Sequence, residues 1–179
     1  SSPPWADQND NLKIVAETKD YIVVDKPTGL LSHPTEADAP NAVSKILLKK
    51  YPGLKKIGDD PKRPGIVHRL DKDASGLMVV ARTQKMFEHL KEQFKNRTVE
   101  KEYTILVHYP VARDWEEINF PLARSKTTDR MAAIPQTKKG LAQEEGKQAK
   151  TEFWVEKRFV NFTLLKVKIH TGRMHQIRA

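Results

Sequence analysis

Gly65-Ile66-Val67-His68-Arg69-Leu70-Asp71-Lys72-Asp73-Ala74-Ser75-Gly76-Leu77-Met78-Val79-Val80 sets a histidine, an arginine and two aspartates between two glycines, then runs into an apolar strand. Charged side chains are seldom fully buried unless they are paired. A charged cluster abutting a core strand is therefore either a functional loop or an ion-paired connector. The stretch alone leaves both open, so the reading moves outward from it.

Downstream, the unbroken apolar run of residues 77–81 predicts a strand covered on both faces. Thr83 is placed to cap a following helix in which Phe87, Leu90 and Phe94 line one stripe. Residues 103–109 alternate as a strand, Ile105 and Val107 against Thr104 and Leu106. Upstream, residues 53–64 read as a basic loop rich in Gly and Pro. Val43, Ile46 and Leu47 recur at helical spacing within residues 41–51, with Pro40 before them and Pro52-Gly53 closing the segment. Residues 12–16 and 21–25 read as short strands, the second built on Ile22-Val23-Val24 and ended by the turn Lys26-Pro27-Thr28-Gly29. Residues 1–11 read as a flexible lead-in, with Trp5 a candidate tack.

Towards the end of the chain, residues 151–155 and 162–170 read as antiparallel partners. In the second, Leu165, Val167 and Ile169 face one side while Lys166, Lys168 and His170 face the other. Strands outnumber helices, and there is no internal repeat and no distinct second domain. The fold class expected is α+β or mixed α/β, one domain over residues 12–179 built around a bent, mainly antiparallel sheet with flanking helices.

Of the 179 residues, 38% are hydrophobic, enough to bury a core, and the net charge of +9 points to a polyanionic partner: RNA, DNA or an anionic membrane. No apolar run approaches the ~20 residues that cross a bilayer, and the first residues lack a signal peptide's apolar centre; no membrane role is expected. The chain has no cysteine, which excludes disulfides and thiolate metal sites and fits a reducing cytosol. Its histidines show no metalloprotease spacing, so no metal site is expected. Residues 124–150 hold seven Lys/Arg, among them Arg124, Lys126, Arg130, Lys138 and Lys139, against three acids, a net +4. They form either a solvated loop or hairpin, or an edge that contacts phosphates.

An aspartate beside an arginine stays ionised and can serve as nucleophile, general base or metal ligand. His68-Arg69-Leu70-Asp71 superficially suggests a protein-kinase catalytic loop. The extra Leu, the missing downstream Asn and the absence of a Gly-rich loop or Asp-Phe-Gly exclude it. A two-metal nuclease needs more converging carboxylates than Asp71 and Asp73 supply.

Residues 68–77 resemble the signature of the RluA-type RNA pseudouridine synthases, with Ala74 where that family usually has Thr or Ser. Three more pieces resemble the family in the same order. They are Tyr21-Ile22-Val23-Val24-Asp25-Lys26-Pro27-Thr28-Gly29-Leu30 with His33-Pro34, then Lys101-Glu102-Tyr103, and finally Thr171-Gly172-Arg173-Met174-His175-Gln176-Ile177-Arg178. Four ordered motifs over roughly residues 12–179 are far more specific than one. The resemblance implies a pseudouridine synthase catalytic fold and isomerisation of uridine in RNA without cofactor or metal. The N-glycosidic bond breaks, the uracil turns, and C5 rejoins the ribose. It also implies that Asp71 is the catalytic aspartate and that Arg69 helps extrude the uridine. Tyr103 would stack on the flipped base, and Arg178 would pair with Asp71.

These roles have plainer counterparts. Tyr103 can be a core aromatic, His68 and His175 can brace loops, and Lys26 can be a solvated turn residue. Lys72 and Asp73 are expected to fix the loop by local hydrogen bonds. Relatives of this type continue past the last motif, so the expectation is a catalytic domain incomplete at its C-terminus. The competing class is an RNA-binding remnant without catalysis. Ribosomal RNA is the first substrate expected, since the signature most resembles large-subunit members, and tRNA the second. The protein is expected to act as a monomer in the cytoplasm.

Overall fold

In a computed structural model of the chain, the structure describes residues 12–34, 42–124, 131–133, 146–173 and 175–178. The expected lead-in, residues 1–11, falls outside them. The chain divides into two compact units, Ser1–Thr98 and Val99–Ala179, both contained in the span the sequence reads as one domain and its lead-in. The class is the expected one, helices with antiparallel strands, and the strands are hydrogen-bonded as two sheets.

In the first unit, β1 (Lys13–Glu17), β2 (Tyr21–Lys26) and β3 (Gly76–Ala81) form an antiparallel sheet in the order β1-β2-β3. Along β2 the residues alternate between half-buried and buried, so Ile22, Val24 and Lys26 share the covered face and lie opposite Val80, Met78 and Gly76 of β3. The run 77–81 is not covered on both faces. Leu77 is 61% exposed while Met78 and Val80 are fully buried. β3 is an edge strand of an antiparallel sheet, which needs only one covered face.

Among the described residues two helices complete the unit, α1 (Val43–Lys50) and α2 (Gln84–Asn96), with a 3₁₀ turn, Pro52–Lys56, that runs into the stretch expected to be loop. Helix α1 buries Val43 and Leu47, as its spacing predicts. Helix α2 starts where Thr83 accepts a hydrogen bond from the Met86 N–H at 3.3 Å and buries Phe87. It ends at Arg97, whose left-handed backbone (φ 59°) returns its N–H to the carbonyls of Gln93 and Phe94.

The second unit is an antiparallel sheet of β4 (Glu102–His108), β5 (Trp115–Arg124), β6 (Met131–Ala133), β7 (Lys147–Arg158) and β8 (Phe162–Ile169), ordered β4-β8-β7-β5-β6. Its core is Phe153, Leu165, Val167 and Ile169, with Tyr103, Ile105 and Val107 of β4 packed against it. The expected pairing of residues 151–155 with 162–170 is present and longer, reaching Arg158 across a bulge between Val155 and Lys157. Strand β5 was not anticipated. Ile118, Phe120 and Leu122 do alternate there, but Glu116 interrupts the pattern, and Ile118 and Phe120 are 37% and 41% exposed.

Candidate active site

Asp71 sits in a turn closed by the Ala74 N–H donating to the Asp71 carbonyl at 3.1 Å. Asp71 and Asp73 thus stand in a turn rather than on a strand. Before it, Leu70 is buried between exposed Arg69 and half-buried Asp71. Both polar backbone groups of Leu70 are held by one side chain. The Ser32 hydroxyl donates to the Leu70 carbonyl at 2.8 Å and accepts from the Leu70 N–H at 3.0 Å. Ser32 is itself buried.

After Asp71 the loop is held from β2. Lys26, the last residue of that strand, is fully buried rather than solvated. Its Nζ donates to the carbonyls of Leu30 at 2.8 Å, Pro27 at 2.9 Å and Lys72 at 3.1 Å, which uses all three ammonium donors. The Gly29 N–H donates to the same Lys72 carbonyl at 2.8 Å, and the Thr28 hydroxyl donates to the Asp73 carbonyl at 3.0 Å. Lys72 and Asp73 thus do fix the loop, through their carbonyls, while their side chains are exposed. Burial pushes the Lys26 ammonium down from its ordinary 10.5, and the negative charges of Asp73 and then Asp71 pull it partly back.

The histidine of the cluster is a brace. His68 Nε2 accepts from the Val79 N–H at 3.1 Å, which puts the proton of the neutral ring on Nδ1. The ring stacks on Phe94 of α2 with centroids 4.7 Å apart and planes at 15°. The glycine that opens the stretch is required. Gly65 has φ +71°, and a Cβ there would lie 2.4 Å from the Ala81 carbonyl oxygen.

The second unit gathers the other two motifs. The Ile169 N–H donates to the Lys101 carbonyl at 3.1 Å, and Tyr103 pairs with Val167 across β4 and β8. Tyr103 and Ile177 pack against the same core cluster. The plainer reading of Tyr103 therefore holds in part: it is a half-buried core aromatic. The last motif is knotted by Gln176. Its Oε1 accepts from the Thr171 hydroxyl at 2.7 Å and the Arg173 N–H at 3.1 Å. Its Nε2 donates to Thr151 Oγ1 at 2.9 Å and the Lys150 carbonyl at 3.1 Å. Arg178 follows in a turn, its N–H donating to the His175 carbonyl at 2.8 Å, with its side chain exposed. Arg124 is the exposed last residue of β5; Lys126, Arg130, Lys138 and Lys139 lie outside the described residues. Among the described residues no group of three or more His, Asp or Glu could hold a metal ion.

A family profile described as RNA pseudouridylate synthase matches residues 20–179. The chain belongs to this family. It is 43% identical over 173 residues to an uncharacterized RNA pseudouridine synthase of Aquifex aeolicus, covering 96% of this chain and 52% of that protein. It is 34% identical over 171 residues to a protein of Haemophilus ducreyi named ribosomal large subunit pseudouridine synthase D, covering 96% and 49%. The chain thus spans about half the length of the curated relatives it matches. Among solved structures, the human RNA pseudouridylate synthase domain containing 1 shares the fold with a TM-score of 0.73 at 24% identity, over 94% of this chain and 63% of that one. The human domain containing 4 does so with a TM-score of 0.69 at 22% identity, over 93% and 62%.

Three anchors of this chain escaped the sequence reading: Lys26, Ser32 and Gln176. Lys26 and Gln176 stand inside quoted motifs, but only as letters without a chemical role. The signal available for Lys26 was its register on β2, where Ile22 and Val24 already mark the covered face.

Proposed function

We propose that this chain converts uridine in RNA to pseudouridine, with Asp71 as the catalytic aspartate. The observation that carries the reading is the setting of Asp71, half-exposed on a loop whose backbone is tied down on both sides by Ser32 and Lys26, within a chain of this family. A catalytic group has to be held to a fraction of an ångström while staying open to substrate, and this loop meets both needs. The product is an isomer of the substrate. The N1–C1′ bond breaks and the C5–C1′ bond forms, C5 gives up a proton, and N1 takes one up. Arg69 assists extrusion of the uridine, Tyr103 supplies a stacking ring, and Arg178 pairs with the ionised Asp71. Ribosomal RNA is the substrate we favour over tRNA, because several relatives at 33–37% identity are named for the large ribosomal subunit. An RNA substrate favours the cytoplasm as the place of action.

Tritium release from RNA labelled at uridine C5 tests this reading. The wild-type chain is expected to release tritium. Asp71→Asn should abolish release while keeping the fold, because an amide replaces neither a nucleophilic nor a basic carboxylate. Residual release above a few per cent in the variant would show that Asp71 is not the catalytic group. RNA binding with no release by the wild type would make the chain an RNA-binding remnant.

A further inference from the structure

Residues 42–58 hold Lys45, Lys49, Lys50, Lys55 and Lys56 and no acidic residue. They comprise α1 and the 3₁₀ turn after it. Their apolar side chains Val43, Leu47 and Leu54 are buried, whereas Lys49, Lys50, Lys55 and Lys56 are exposed. Among the described residues Lys45, Lys50, Lys55 and Lys56 form no ion pair. The second unit behaves differently, since Lys150, Lys166 and Lys168 pair with Glu117, Glu102 and Glu100. The macrodipole of α1 favours the two lysines of its last turn, but it offers nothing to Lys55 and Lys56. Lys45 and Lys49 stand four apart on one helix, a like-charge spacing that works against the helix.

The same element is tied to the Asp71 loop. The Ser44 N–H donates to the Ser32 carbonyl at 3.2 Å, and the Ser32 hydroxyl clamps Leu70. From that anchor the eight residues of α1 rise about 12 Å, which keeps the lysines within a few nucleotides of a uridine at Asp71. We infer that the lysine face of α1 and its 3₁₀ turn docks the phosphate backbone of the RNA that flanks the target nucleotide. The inference rests on the proposed function. An anionic membrane fits less well, because a surface helix that lies in a membrane inserts an apolar face and the apolar face of α1 is already buried in its own unit.

The test compares two triple variants of the full chain with equal loss of charge: Lys50→Gln, Lys55→Gln, Lys56→Gln and, as control, Lys19→Gln, Lys85→Gln, Lys95→Gln. Affinity is titrated at several salt concentrations with an oligouridylate and an oligoadenylate of equal length, and with phosphatidylserine vesicles. Circular dichroism verifies the fold of each variant. The first triple should flatten the salt slope by about 2 log units per log unit of salt, from ~0.7 per lost contact on a single strand. It should do so equally for both oligonucleotides, since phosphate contacts carry no sequence. The control should leave the slope unchanged. Equal slopes in the two triples, or an effect confined to vesicles, overturn the inference. Tritium release by the wild type alongside equal slopes sinks the docking surface and leaves the proposed function standing. A flattened slope without release by the wild type does the reverse.

Discussion

Both polar backbone groups of Leu70 end on the hydroxyl of Ser32, and the carbonyl of Lys72 takes the ammonium of Lys26, so two buried side chains frame Asp71. Ser32→Ala leaves the N–H and the carbonyl of buried Leu70 without that partner. An unsatisfied buried group costs about 1–3 kcal/mol, and urea unfolding should show a loss in that range. An unchanged midpoint would mean that water replaces the hydroxyl. Lys26 has a second signature. Its folded value lies below 10.5, so just under 10.5 the unfolded chain binds more protons than the folded one, and this residue makes stability rise with pH in that window. Lys26→Met should remove that rise and, by taking the ammonium from the carbonyls of Pro27, Leu30 and Lys72, lower stability at neutral pH as well. Urea midpoints of both proteins at neutral pH and just below 10.5 decide it; parallel pH dependences would show that Lys26 carries no titration linkage.

Helix α2 carries its stop and start signals on different grounds. Thr83 was legible as a cap because a threonine directly before a helical apolar stripe is a local pattern. The left-handed end at Arg97 was not, since nothing in an arginine announces a positive φ. Thr83→Ala should cost about 1 kcal/mol, and Arg97→Gly should recover about 1 kcal/mol by relieving the left-handed strain. The ends are about 20 Å apart, so the effects should add, and the double variant should unfold close to the wild type. A double variant well below both singles would mean that the caps are coupled. The same contrast separates the strands. β2 and β8 show clean alternation and were read within a residue or so. β5 carries a glutamate on its inward side, at Glu116 opposite Phe153, and its alternation was lost for that reason.

For the whole molecule, charge and chemistry separate. Asp71→Asn raises the net charge from +9 to +10 by removing one carboxylate, so non-specific RNA affinity should stay equal or tighten slightly while isomerisation is lost. Filter binding at low salt checks this, and weaker binding by the variant would mean that Asp71 also holds RNA. The order of residues alone specified the α+β class, most of the elements and the family, and it singled out Asp71, Arg69, Tyr103 and Arg178 as the residues to test. Those signals are either periodic over a few residues or spelled by side-chain chemistry in order. Tertiary structure alone decided that Lys26 is buried, that Ser32 clamps Leu70 and that Gln176 knots the last motif. These contacts join positions 46, 38 and 25 residues apart. A lysine, a serine or a glutamine looks the same in sequence whether water or a distant carbonyl will satisfy it, and only the folded chain brings that carbonyl within reach.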